Sequence, residues 1–331
     1  MKFFNVDMHI SVAEDLNAIF SDLGHRFDRN SLSGHNWVNG APGASLKALT
    51  RENWTDIGPE LARRFYMKNK RRFDEFDGFV VSYPPAFALL FEPFEKPVIS
   101  VTCTRFDYPT FPDNYGWLIQ GLRRMHRNGQ LVSVANNRLD QWFNEHYLGI
   151  PTAHISSLCA YLPQRVEGRS SQGSFLVWTR YAHALQHQLI NPGFTISNRY
   201  DRQTVASHAG VIHVPYNLSI MSAFEHYWQC IPMYFPTERL QAEWIAHPEV
   251  GGLQEVLFSS TALQFSPDLI SLADWYDSTN FAGVRFFDDE TELYSMIESD
   301  DAAALGAQML EHNKARRQSI YGSWETLISK L

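Results

Sequence analysis

Cysteine is scarce: Cys103, Cys159 and Cys230 are the only 3, far apart and in no metal-like spacing. That argues against a disulfide framework or a zinc site and leads to an expectation of reduced thiols in a cytoplasmic setting. No apolar run approaches the roughly 20 residues needed to cross a bilayer. The opening Met1-Lys2-Phe3-Phe4-Asn5-Val6-Asp7 turns polar too soon for a signal peptide, so any membrane contact is expected to be peripheral. Positive charge is in deficit, with 28 Lys and Arg against 36 Asp and Glu and a formal net charge of -8, which disfavours nucleic acid as a partner. No internal repeat or low-complexity segment is visible.

What is present is apolar and aromatic. Hydrophobic residues make up 44% of the chain, with 9 Trp, 14 Tyr and 23 Phe, enough to bury a sizeable core and to exclude a disordered chain. At 331 residues the length suits two α/β domains better than one core.

The most informative stretch is Val211 to Thr237. Two short β-branched or apolar runs, Val211 to Val214 and Ile231 to Phe235, are each closed by a proline, Pro215 and Pro236, as for buried strands meeting loops at their carboxyl ends. Between them Ser219 or Ser222 is expected to cap a helix that turns Phe224, Tyr227 and Trp228 inward. The result is a βαβ unit whose helix starts where an open α/β sheet binds ligands. Unpaired N–H groups and partial positive charge there suit a phosphate. Glu225, further along the helix, places a carboxylate that suits the paired hydroxyls of a sugar.

The pattern Pro215-Tyr216-x-x-Ser219-x-x-Ser222-x-x-Glu225, followed by an apolar stretch and Ile231-Pro232, resembles the nucleotide-sugar half of two-domain (GT-B type) glycosyltransferases. The resemblance covers this one unit, with support from the α/β layout of the whole chain, and fixes no subfamily. It implies an α/β fold of two Rossmann-like domains facing across a cleft. It also implies that Tyr216, Ser219 and Ser222 lie at the diphosphate end of a nucleotide-sugar donor and that Glu225 contacts the ribose. Arg180, soon after the strand Ser174 to Trp178, matches the place where the family grips the leaving diphosphate. A guanidinium fork fits phosphate oxygens, although an arginine here is also an ordinary surface residue.

Strands are also expected at Phe3 to Val6, Phe27 to Leu32, Asp77 to Ser82, Pro97 to Thr102 and Leu131 to Ala135, and the run Ala153 to Tyr161 finishes the first domain. Helices are expected at Val12 to Leu23, near Ala86 to Phe91, and from Pro59 to Phe73. His9 and His35 both follow strands, so each is a candidate to take a proton from an attacking hydroxyl. His9 is favoured by its place after the first strand, which also attracts bases in the resembled class. Asp107 is the rival base. Arg105, two residues earlier, either holds substrate or pairs with Asp107. His35 and Arg105 are the candidate acceptor contacts. The helix from Pro59 to Phe73 carries a basic face, Arg63, Arg64, Lys68, Lys70, Arg71 and Arg72. Such a run is usually a solvated face, and contact with an acidic acceptor or anionic headgroups is the second reading. His183 and His187 are four apart on one helix, but no third metal ligand can be named.

The polar interval 164–173 reads as a linker. It divides an acceptor-binding domain, 1–163, from a donor-binding domain, 174–310, with a closing helix over 311–331 that in the family tends to cross back to the first domain. No Asp-x-Asp motif occurs, so no metal or other cofactor is expected, and the nucleotide sugar is a substrate. The expected reaction moves a sugar to a hydroxyl of a glycan or other acceptor. The alternatives are a sugar-nucleotide epimerase of the same build and a non-catalytic binding protein that keeps the architecture.

Overall fold

Residues 1–35, 46–107, 112–164, 173–179, 194–197, 205, 207–246 and 267–331 are described by the computed structural model. The chain forms two compact units, one of Met1–Tyr161 with Ile320–Leu331 and the other of Leu162–Ser319. Within the polar interval, residues 165–172 lie outside the described ones.

The first unit holds six parallel strands, β1 (Lys2–Val6), β2 (Arg26–Asp28), β3 (Gly78–Val81), β4 (Val98–Thr102), β5 (Leu131–Ala135) and β6 (Ala153–His154), in the order β2-β1-β3-β4-β5-β6. Interior strands of a parallel sheet are covered on both faces, so they read as continuous apolar runs rather than alternating ones. Phe3, Phe4, Phe79, Val80, Val98 and Ile99 are accordingly all fully buried. The α-helices of this unit among the described residues include α1 (Ile10–Asp22), α2 (Pro59–Phe73), α3 (Pro112–Arg127) and α4 (Arg138–Phe143). Between β3 and β4 the rings of Phe79 and Phe91 stack at 4.3 Å.

One expectation for this unit is corrected. The second strand is Arg26–Asp28 and does not reach Leu32. Beyond it the Asn30 amide turns back to the Asp28 carbonyl, and only an isolated bridge between Asp7 and Ser31 continues the pairing. The short helix expected near Ala86 to Phe91 is present as the 3-10 helix Pro85–Leu90, which opens on a proline pair. The run after Ala153 leaves the sheet at His154, because the backbone N–H groups of Leu158 and Cys159 donate to the Asp15 carboxylate, at 3.0 and 2.6 Å, instead of to a ladder.

Among the described residues the second unit has five parallel strands, β7 (Phe175–Trp178), β8 (Phe194–Ser197), β9 (Gly210–His213), β10 (Met233–Pro236) and β11 (Arg285–Phe287), in the order β11-β10-β9-β7-β8. Its helices are α5 (Met221–Trp228), α6 (Glu238–Ala246), α7 (Glu290–Ser299) and the first part of α8 (Ala302–Ile328). The last residues of α8 belong to the first unit, where Trp324 meets Phe20 at 5.3 Å and the Tyr321 hydroxyl donates to Asp22.

The two sheets repeat one construction that the sequence does not betray. In each, the first strand is second from one edge, with the second strand outside it and the third on its inner side, so the connections diverge at the carboxyl ends of the first and third strands. Such divergence opens the crevice where doubly wound sheets hold ligands. The third strand of each starts with a glycine whose added Cβ would press on a ring of the first strand and on a proline carbonyl. For Gly78 these are Phe3 and Pro97, both at 3.1 Å, and for Gly210 they are Phe175 at 2.8 Å and Pro232 at 3.0 Å. In both cases the next N–H, of Phe79 or Val211, donates to that same proline carbonyl.

Candidate functional site

In the second unit the diverging strands are β7 and β9. β9 ends at His213, Val214 donates its N–H to the Trp178 carbonyl, and the loop then runs through Tyr216, Asn217 and Ser219, all half-buried, into α5. The loop is braced from below, since Asn217 accepts from the Leu218 N–H and the Leu218 carbonyl accepts from the Asp274 N–H. The expected serine cap is corrected: Ile220 occupies the N-cap position, and no side chain caps the helix. An apolar N-cap is a poor one, and the first-turn groups that a serine oxygen would satisfy receive no side-chain acceptor from it.

All eight residues of α5 are buried, as for a helix surrounded by protein. Ser222 is 9% exposed, and its buried hydroxyl has no hydrogen-bond partner among the described residues. Glu225, one turn further, is 2% exposed. The far end of the helix is fixed by Asn313, whose amide donates to the carbonyls of Tyr227 and Trp228.

Beneath the loop lies a column of flat rings that sequence reasoning missed. His226 meets His213, Nδ1 to Nε2 at 3.3 Å. His213 stacks on Phe235 at 4.4 Å, and Phe235 stacks on Trp275 at 4.9 Å. The rings of Trp178 and His226 meet at a right angle, 5.7 Å between centroids. Burial, with the neighbouring imidazole, pushes the His213 pKa well below that of an ordinary histidine. The column joins the last residues of β7 and β9, Trp178 and His213, to Phe235 of β10, His226 of α5 and Trp275 of the short helix Asp274–Tyr276.

In the first unit the corresponding point is the carboxyl end of β1 and β3. The strand stops at Val6, so Asp7 and His9 do not share a strand face; His9 is instead the N-cap residue of α1. Asp7 is completely buried. Its two carboxyl oxygens accept from the His9 backbone N–H and the Ser82 hydroxyl. Burial raises its pKa from 3.8 to about 8, against the opposing hydrogen bonds from Ser82, His9 and Tyr83. Asp7 therefore ties β1 to β3 and fixes the backbone on which the His9 ring is carried.

The two other acceptor-side candidates are held differently. Arg105 and Asp107, after β4, form a buried two-pronged pair, Nε to Oδ1 at 3.2 Å and the terminal nitrogen to Oδ2 at 3.0 Å, with the guanidinium over the Phe143 ring at 5.0 Å. Both oxygens of Asp107 are thus engaged, so of the two suggestions for Arg105 the geometry favours the pair. Asp140, also buried, has its pKa raised to about 7 by burial, against a hydrogen bond from Asn137 and the charge of Arg105. His35 is exposed in a turn and donates its N–H to the Ser33 hydroxyl. Arg180, His183 and His187 lie outside the described residues. Among the described residues no group of three or more His, Cys, Asp or Glu is placed to hold a metal ion, and no helix is long and apolar enough to cross a membrane.

No protein family model and no curated protein matches the chain. Solved structures do. The chain is similar over 100% of its length, and 100% of the other, to Anabaena Alr3699/HepE in complex with UDP, at 12% identity and a TM-score of 0.59. The UDP-glucose complex of the same protein gives 10% identity, 100% of both chains and a TM-score of 0.58. Glycosyltransferase SnogD from Streptomyces nogalater is similar over 99% of this chain and 98% of its own, at 8% identity and a TM-score of 0.49. The fold is of the GT-B type. Identity this low carries the fold alone, so each residue role within the GT-B framework rests on the geometry above.

Within that framework the Asp7 clamp and the His213–His226 pair are additions to the sequence reading. Asp7 was visible only as a polar residue ending a strand. The histidine pair joins a strand end to a helix 13 positions away, a spacing with no sequence signature.

Proposed function

We propose that the protein is a glycosyltransferase that moves a sugar from a nucleoside-diphosphate donor to a hydroxyl of a glycan or other acceptor, without a metal. The observation that carries this reading is the entrance to α5, where half-buried Tyr216, Asn217 and Ser219 lead into a helix with no side-chain cap at the divergence point of the second sheet. Similarity in fold to a protein crystallised with UDP and with UDP-glucose supports the donor class.

In this reading Ser219, Ser222 and the helix start hold the diphosphate, Tyr216 lines the same end, and Glu225 takes the ribose hydroxyls. Arg180 adds charge at the phosphates. As the anomeric C–O bond breaks, negative charge grows on the diphosphate, and fixed donors aimed there lower the barrier. His9 accepts the proton of the acceptor hydroxyl, whose oxygen forms the new bond to the anomeric carbon. His35 and Arg105 stand on the acceptor side.

The test is a thermal-shift screen with UDP, GDP, ADP and CMP and their sugar conjugates, because a ligand that binds only the folded state raises its melting temperature. A shift with one diphosphate, abolished by Ser219→Ala together with Glu225→Ala, is expected. No shift with any nucleotide overturns the reading. Turnover of a nucleotide sugar without an acceptor would replace transfer by epimerisation, and binding without turnover would leave a binding protein.

A further inference from the structure

We propose that the outward face of α2 docks the protein onto an anionic lipid surface. The inference is independent of the sugar-transfer reading. α2 opens with Pro59 at its first turn and buries Leu61, Ala62, Phe65, Asn69 and Phe73 against the first unit. Those positions leave the opposite arc to Arg63, Arg64, Met67, Lys68, Lys70 and Arg71, all exposed. Arg63 to Arg71 spans about 12 Å of helix axis at 1.5 Å per residue, so five cations lie within two and a half turns.

Little offsets their charge. Among the described residues Arg63 pairs with Glu60 at 3.0 Å, with both side chains more than 60% exposed, and no ion pair holds the other four. The carboxyl end of the helix is fixed by a further cation, since the Lys96 amine donates to the carbonyls of Phe73, Asp74 and Phe76. Arg72 turns aside over the rings of Phe4 and Phe73. A concentrated positive face on a chain of net charge -8 is complementary to a negative surface and poorly explained by solubility, for which the acidic remainder suffices.

Met67 identifies the kind of surface. It is 55% exposed, one of two large apolar side chains exposed among the described residues, the other being Met1 at 42%. Single exposed apolar residues are ordinary, but this one stands in the middle of the cations, with Arg63 and Arg64 one turn before it and Arg71 one turn after. A soluble polyanion gains nothing from a thioether there. A bilayer offers phosphates for the cations and the headgroup–acyl boundary for the apolar tip, and reversible anchoring draws on two such weak terms together.

The experiment is co-sedimentation of the full chain with vesicles of phosphatidylcholine alone and of phosphatidylcholine mixed with phosphatidylglycerol. Binding to the mixed vesicles only, released by salt, is expected. Combining Arg64→Glu, Lys68→Glu and Arg71→Glu should lower partitioning by roughly a hundredfold or more, and Met67→Ser alone should weaken it severalfold. Should the triple variant fail to fold, Met67→Cys carrying an environment-sensitive fluorophore reads the same contact, a blue shift being expected on mixed vesicles. Absence of binding to mixed vesicles, binding unchanged in the triple variant, or no fluorophore shift overturns the proposal. Equal retention on heparin by wild type and Met67→Ser, without vesicle binding, would make the face a soluble-polyanion site instead.

Discussion

The ring nitrogens of His213 and His226 stand 3.3 Å apart in a fully buried site, one at the end of β9 and the other on α5. A single proton between them satisfies both nitrogens, and a second would place an unpaired charge in an apolar column. The strand and the helix that frame the proposed donor end are thus joined by a contact that exists only while both rings are not charged together.

Stability should therefore depend on pH through His213. Its folded pKa lies well below 6.5, so the unfolded chain takes up a proton there before the folded one does. The contribution is complete above the unfolded value and is lost as pH falls, at up to about 1.4 kcal/mol per pH unit. His213→Phe keeps a flat ring against Phe235 and has no proton to gain. Urea unfolding between about pH 7 and 5 should show a shallower decline in the variant, and equal slopes would contradict the assignment.

Asp7 acts with the opposite sign. Its pKa is 3.8 as a free side chain and about 8 in the fold, so the folded state holds the extra proton between those values. Stability from this group is present at low pH and is lost as pH rises toward 8. Asp7→Asn keeps an acceptor for the His9 N–H and a donor for Ser82, so its stability relative to wild type should increase from pH 5 to pH 8. Asp7→Ala, which leaves buried groups unpaired, should cost about 1–3 kcal/mol at either pH. Denaturant titrations of both variants decide this.

Arg105 and Asp107 separate structural from catalytic roles. Removing one partner of a buried pair leaves the other charge uncompensated, so Asp107→Asn should cost roughly 3–5 kcal/mol of stability. His9→Ala, at the partly exposed helix start, should leave the melting temperature nearly unchanged and, on the proposed mechanism, lower turnover by about a hundredfold or more. Full turnover in His9→Ala would move the base elsewhere.

Gly210 tests the shared construction of the sheets. A methyl group there would sit 2.8 Å from the Phe175 ring and 3.0 Å from the Pro232 carbonyl, a strand start that cannot yield without moving the next strand. Gly210→Ala should destabilise the second unit by about 1–3 kcal/mol, and Gly78→Ala the first by less, since its contacts are at 3.1 Å. Chemical denaturation followed by unit-specific hydrogen exchange distinguishes them.

The sheet interior was legible because strands covered on both faces are written as unbroken apolar runs: Leu131–Ala135 has the expected bounds, and Pro59–Phe73 matches its helical spacing. Edges were less legible. Arg26–Asp28 is short and polar on its outer side, and pairing there is settled by neighbours rather than by pattern. The start of α5 misled for a different reason: two serines carry the capping signal, yet the chain turns at Ile220 between them because the loop is held from below by Asp274. Asp7 and the two buried histidines follow no periodicity at all. Their environment comes from chain segments far away in sequence, so their altered proton affinities emerge only when the sheets are assembled.

The glycine that opens the third strand in both units, with its ring and its proline carbonyl, recurs where the two sequences otherwise share almost nothing. Residues at the opposite end of the same strands differ freely: a buried carboxyl and a hydroxyl in one unit, a pair of imidazoles in the other. The amino ends are thus common carpentry and the carboxyl ends individual tooling, so exchanging loops at the latter while leaving the former untouched is the route by which new ligands could be fitted to this frame.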